Sequence, residues 1–169
     1  MILTAHQPCY LPWLGLFHKI AISDIFCFFD IVQYQKKDFN NRNKIKTIHG
    51  GIWLSVPVES KNHLSKNVSS IPIIQNNWFI KHIKSIEINY RKALYFDQYF
   101  EDIAIILRDS SKSNLGNLNL NLLRYFLNVL SIETPIVLAS DYNFIGEKSD
   151  LVLDMCKKLN ARKYIFGSN

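Results

Sequence analysis

The chain has 169 residues, 48% of them hydrophobic and 20% charged, which suits one folded domain with a real core and excludes a disordered chain. No apolar run approaches the roughly 20 residues needed to span a bilayer, so no membrane span is expected. Lysine and arginine total 20 against 14 acidic side chains, a net charge of +6; that balance favours anionic partners such as phosphates or nucleotides, or serves solubility alone. Cys9, Cys27 and Cys156 show no C-x-x-C or zinc spacing, so a disulfide framework and a metal site are not expected. The start, Met1 to His6, has no basic region before its short apolar run. It does not read as a secretory signal, and a cytoplasmic location is expected.

In chain order, Ile2 to Ala5 reads as a short buried strand. His6-Gln7-Pro8-Cys9-Tyr10-Leu11-Pro12 breaks the pattern, because two prolines in five residues forbid regular pairing. Pro12 suits the first residue of a helix, and Trp13, Phe17 and Ile20 follow at helical spacing. Asp24 closes that region. Ile25 to Phe29 is a continuous apolar run with the character of a strand buried on both faces, Cys27 included. Strand, turn, helix, strand is the outline of an α/β unit.

A polar stretch from Lys36 to Lys46 follows. Gly50-Gly51 marks a tight turn between strands predicted at Lys44–Ile48 and Ile52–Val58, with Pro57 at an edge or bulge. Ser60 to Asn67 reads as a polar loop, and Val68 to Ile74 as a weak strand interrupted by Pro72. The middle of the chain is helical. Its apolar stripes are Phe79, Ile83, Ile86 and Tyr90; then Phe96, Phe100, Ile103 and Leu107; then Leu118, Leu122, Phe126 and Leu130. Lys112 to Gly116 reads as a connection. Ile136 to Ala139 is a short parallel-type strand, Ser149 a cap for a last helix, and Lys163 to Phe166 a final strand. The expected fold is α/β, a mostly parallel open sheet with a helical middle section.

Polar groups cluster beyond the strand ends, where ligands collect in open α/β sheets. His6 can hold a phosphate or act as acid or base near neutral pH, and Gln7 adds an amide; equally, both can cap a turn. Asp30 and Gln33 follow the next strand and are placed to approach His6, with a turn cap as the plainer role for Asp30. In Asn40-Asn41-Arg42-Asn43, Arg42 suits bidentate binding of phosphate or carboxylate, unless the stretch is a solvated loop. Gly146-Glu147-Lys148-Ser149 offers a lysine at a helix start, an anion-holding feature without the glycine spacing of a P-loop. Arg91 stands between two helices, at surface or site. Cys9, in a polar turn, is the thiol to test for reactivity. His18, His49, His63 and His82 have no evident partner.

Taken together, Ala5-His6-Gln7-Pro8-Cys9-Tyr10-Leu11-Pro12-Trp13-Leu14-Gly15, Asp24 to Gln33, Asn41 to Thr47, Trp53 to Val58, Tyr90-Arg91-Lys92-Ala93 and Gly146 to Ser149 resemble the WbqC-like family, in the same order. The resemblance implies one domain over 1–169, short at its C-terminal end beyond Tyr164 to Gly167. It further implies a place in bacterial O-antigen and surface-polysaccharide biosynthesis. The layout is also distantly similar to nucleotidylyltransferases, a Rossmann-like arrangement, although the H-x-G-H histidine pair is absent.

Two functions follow. The first is an enzyme, a transferase acting on a sugar, nucleotide-linked or other phosphorylated substrate. His6 and Asp30 would be catalytic. Gln7, Tyr10, Gln33, Asn41, Arg42, Asn43, Arg91 and Lys148 would bind substrate, with ATP or another nucleotide as cofactor. The second is a non-catalytic accessory protein that binds a glycan precursor or nucleotide. The absence of a recognition helix or an aromatic RNA-binding signature disfavours nucleic acid.

Overall fold

Ile2–His6 forms β1, with Leu3 and Thr4 both fully buried. Burial of consecutive residues is what a central strand of a covered parallel sheet requires, since consecutive side chains point to opposite faces. The computed structural model describes residues 1–61 and 66–167; His63 and part of the expected loop at 60–67 lie outside the described residues. Beside β1 runs β2 (Ile25–Phe28), parallel and in register from Leu3↔Ile25 to His6↔Phe28. On its other side lies β6 (Lys163–Ile165), also parallel. β5 (Ile136–Leu138) extends the sheet beyond β2, so the order is β5-β2-β1-β6.

Parallel neighbours cannot be joined by a tight turn and need crossovers. Helix α1 (Leu14–Ala21) lies between β1 and β2, and helix α5 (Lys148–Lys158) between β5 and β6. The strands step from β1 through β2 to β5 at one edge, then return to β6 on the far side of β1. The order therefore reverses between β1 and β6. Leu3, Cys27, Ala139, Met155 and Leu159 form the buried cluster beneath this sheet. Burial pushes the Cys27 thiol up to about 12, with the nearby Asp30 adding to the effect, so Cys27 is an inert core residue. Thr4, at 0% exposure, has its hydroxyl satisfied by the Ile165 carbonyl at 2.8 Å.

These elements belong to the first of two compact units, which comprises Met1–Pro8, Pro12–Val32 and Arg124–Asn169; the second comprises Cys9–Leu11 and Gln33–Leu123. The second unit holds an antiparallel hairpin, β3 (Arg42–Thr47) with β4 (Gly50–Ser55). It also holds helix α2 (Trp78–Tyr90), helix α3 (Phe96–Asp109), and helix α4 (Leu115–Val129) as far as Leu123. On the hairpin Ile45 and Leu54 turn inward, while Arg42, Lys44 and Lys46 share the opposite face with Trp53 and Ser55. The fold class is mixed α/β, with a parallel four-stranded sheet and five α-helices among the described residues.

Several local expectations change. α1 begins at Leu14 with Trp13 at its N-cap, so Pro12 precedes the helix. The hairpin turns at Ile48 and His49, since Thr47 pairs with Gly50. Gly50 has φ +107°, and its freedom there lets the chain re-enter the strand. β4 ends at Ser55; Val58 instead makes an isolated bridge with Ile73. The expected strand at Val68–Ile74 is a 3-10 turn at Val68–Ser70 followed by bridges, because Pro72 has no N–H to give a ladder. Ser149 lies inside α5 and caps nothing, as Glu147 occupies the N-cap. Cys9 is 3% exposed, which removes it as a reactive thiol.

Leu115 and Gly116 open α4 instead of serving as a connection. A Cβ on Gly116 would stand 2.7 Å from the Ser69 Cα. Helix propensity favours alanine over glycine by about 1 kcal/mol, but a clash with backbone costs about 1–3 kcal/mol. Gly116→Ala is therefore expected to destabilise the protein, lowering the urea midpoint with little change in its slope. A midpoint equal to or above wild type contradicts the close packing of α4 on Ser69.

Candidate functional site

His6 is the last residue of β1. Its Nδ1 lies 2.8 Å from the Gln7 carbonyl. A carbonyl only accepts, so Nδ1 carries a proton in this contact, and in the neutral form of the ring the acceptor nitrogen is Nε2. Trp13 packs edge-on against the same ring, with centroids 5.3 Å apart. The ring is thus held in one orientation and one tautomer, as an acid or base requires.

A cavity of about 440 Å³ opens here, in the first unit. It is lined by His6, Trp13, His18 and Lys19, and by Ile165 to Gly167 just past β6. It therefore sits at the C-terminal ends of β1 and β6, where the strand order reverses. That is the position at which open α/β sheets hold ligands. Gly15, in the first turn of α1, also lines it. Lys19 is 8% exposed, and its Nζ donates to the Ala5 carbonyl at 3.0 Å. The cavity thus brings together an imidazole, the buried amine of Lys19 from the last turn of α1, and Gly15 from its first turn, groups able to interact with a negative charge.

Asp30 belongs to the same unit but does not line this cavity. It is 6% exposed, and its Oδ1 accepts from the Ser140 N–H at 3.0 Å. That bond caps the short 3-10 turn Ala139–Asp141, the plainer of the two roles expected for it. Gln7 supplies the carbonyl that orients His6. Lys148 starts α5 with φ +50° and is exposed.

The remaining candidates stand in the second unit. Tyr10 is fully buried, and its hydroxyl meets His82 Nδ1 at 2.8 Å. His82, whose partner the sequence did not reveal, also bonds to the Ser55 backbone and packs edge-on against Trp78. Burial lowers the His82 pKa to about 4. The neutral ring then donates to the Ser55 carbonyl and accepts from Tyr10. Tyr10 is committed to this core pair, and no ligand reaches its hydroxyl without unpacking it.

Asn41 Nδ2 donates to the Val56 carbonyl at 2.7 Å, and Asn43 Nδ2 to the Leu11 carbonyl at 2.6 Å. The two amides brace the backbone. Leu11 has φ +46°, a conformation rare for leucine that needs such support. Arg42 differs. Its guanidinium lies 4.3 Å over the Trp53 ring and donates to the Lys37 carbonyl, while its buried Nε finds no acceptor among the described residues. Lys44 Nζ is 5.0 Å from the same ring. Arg42, Lys44 and Lys46 pair with no carboxylate among the described residues. Gln33 is exposed and bridges to Asn67, and Arg91 is exposed at the C-terminal end of α2.

Sequence reasoning missed Lys19, His18 and Trp53. Lys19 had a readable signal, since it continues the inward face of α1 three residues after buried Leu16. Trp53 became legible only once the hairpin register set it opposite Lys44. Among the described residues no three His, Cys, Asp or Glu side chains group as metal ligands.

Residues 7–169 match the model of the WbqC-like protein family. The chain is also 33% identical over 161 residues to "Uncharacterized protein Rv1507c" of Mycobacterium tuberculosis, covering 95% of this chain and 70% of that protein. No solved structure matches it.

His82 gives a pH test of the buried pair. Its folded pKa of about 4 lies below the ordinary 6.5, so the unfolded chain binds the extra proton first. The stability of the neutral, buried ring is present above pH 6.5 and is lost as pH falls toward 4, by about 3 kcal/mol in all. Urea unfolding of wild type and His82→Gln across this window should show a steeper loss in wild type. Equal slopes contradict the assignment.

Proposed function

Because the chain belongs to the WbqC-like protein family, we propose that it is an enzyme of bacterial surface-polysaccharide (O-antigen) biosynthesis. It would transfer a group to or from a phosphorylated or nucleotide-linked sugar, in the cytoplasm. The observation that carries this reading is His6, held in one tautomer at the mouth of a cavity that also presents Lys19 and the start of α1. The strand order β5-β2-β1-β6 supports a Rossmann-like reading, in which a nucleotide such as ATP sits where the order reverses.

In this reading the phosphates lie against Lys19 and the first N–H groups of α1. His6 Nε2 takes a proton from the attacking hydroxyl or amine and returns it to the leaving group. Asp30 acts through the sheet end it caps, as a positioning residue. Arg42, braced on Trp53 within the second unit, is suited by itself to bind a phosphate or carboxylate group. That braced arginine and exposed tryptophan also favour a second reading, an accessory protein that binds a glycan precursor without turnover. A sugar ring stacks on an indole, and its acidic substituent pairs with the guanidinium.

Titration of wild type with ADP, UDP and UDP-sugars by calorimetry tests the site. His6→Gln should retain binding and lose turnover, and Lys19→Gln should weaken diphosphate binding about tenfold. Folded variants that bind and turn over like wild type sink the assignment. Saturable binding without product in wild type selects the accessory reading.

A further inference from the structure

The second unit contains a cavity that the reading above does not use. It has a volume of about 420 Å³, lies against the α2–α3 helical hairpin and reaches β3. Its wall is apolar and aromatic, with Ile86, Phe96, Phe100 and Ile103 along the helices; Phe96 and Phe100 stack with centroids 4.4 Å apart. No acidic side chain lines it. Its one charged lining residue is Lys44, exposed and without a carboxylate partner among the described residues. The hydroxyl of Tyr90, which also lines the cavity, accepts the Lys46 N–H at 2.9 Å, and Lys44 supplies the cavity's charge.

The turn between the helices sharpens the chemistry. Leu94 is 86% and Tyr95 62% exposed, and both line the cavity. Arg91 and Lys92 stand in the same turn, both exposed. Apolar side chains left in water beside cations that have no carboxylate partner among the described residues fit a ligand with both characters. A nucleotide or free sugar would leave this wall wet. A neutral apolar molecule would leave Lys44 unused.

The geometry points to a binding site for an anionic amphiphile: an alkyl or prenyl chain between α2 and α3, with its phosphate or carboxylate head at Lys44. Such a ligand comes either free in solution or from an anionic lipid surface, and the chemistry is shared. The chain supplies affinity by burying methylenes, and Lys44 sets the direction in which it enters.

Octyl, decyl and dodecyl phosphate, kept below their micelle concentrations, are titrated into the full chain by calorimetry. Binding should saturate at one ligand per protein, with affinity rising about fourfold for each methylene buried. Inorganic phosphate should not compete. Lys44→Glu, an exposed substitution, should weaken dodecyl phosphate about tenfold and leave dodecanol unchanged. Ile103→Asp, checked for folding by circular dichroism, should abolish binding. Vesicles of phosphatidylcholine with phosphatidylglycerol distinguish the sources: sedimentation of wild type but not Leu94→Ser adds the lipid surface. Absence of saturable binding, indifference to chain length, or a Lys44→Glu variant equal to wild type overturns the proposal. Sedimentation with vesicles and no one-to-one binding of dodecyl phosphate overturns it as well.

Discussion

Parallel pairing on both sides of β1 is the constraint on which the first unit depends. A parallel neighbour on each side forbids tight turns and demands crossovers, which α1 and α5 help to supply. It also aligns the carboxyl ends of all four strands. His6 lies at that edge, lining the cavity there, because it is the residue at which β1 stops. The bonds that finish this edge are side-chain bonds: Thr4 closes onto β6, Lys19 onto the Ala5 carbonyl, and Asp30 onto Ser140. Each satisfies a buried polar group that would otherwise cost about 1–3 kcal/mol, and each fixes a wall of the same unit.

The seven residues from His6 to Pro12 divide their labour. His6 and Gln7 belong to the sheet unit, where His6 lines the cavity and the Gln7 carbonyl orients its ring; Cys9, Tyr10 and Leu11 belong to the other unit and are part of its interior or its bracing. Pro8 and Pro12 stiffen the passage between them. Tyr10 is bound to His82, and Leu11 is held by Asn43. Two motifs that look like ligand-binding chemistry in the sequence, the tyrosine and the asparagines at 41 and 43, make internal bonds instead: Tyr10 to His82, Asn43 to Leu11 and Asn41 to Val56.

Arginine and lysine are distributed with a comparable asymmetry. The hairpin face carries Arg42, Lys44 and Lys46 at alternating positions, with Trp53 beneath two of them. A guanidinium on an indole gains about 0.5–2 kcal/mol and loses freedom, so Arg42 is pre-positioned in a way that a solvated lysine is not. Buried Lys19 achieves the same in the other unit through a backbone carbonyl.

Periodicity and punctuation determined much by themselves. The apolar runs at Ile2–Ala5 and Ile25–Phe29, the prolines after them and the helical stripes of the middle section are local signals, and local signals fix element type. They also placed His6 at a strand end and Cys27 in the core. Tertiary structure alone decided which of the polar residues face a cavity. The hairpin register set Trp53 under Arg42, and the approach of Ser69 made Gly116 a packing position. Tyr10 and His82, seventy-two residues apart, became one buried pair. None of these is written in neighbouring residues, because each depends on a contact between segments distant in sequence, and residue type alone does not tell a buried hydrogen bond from an open one.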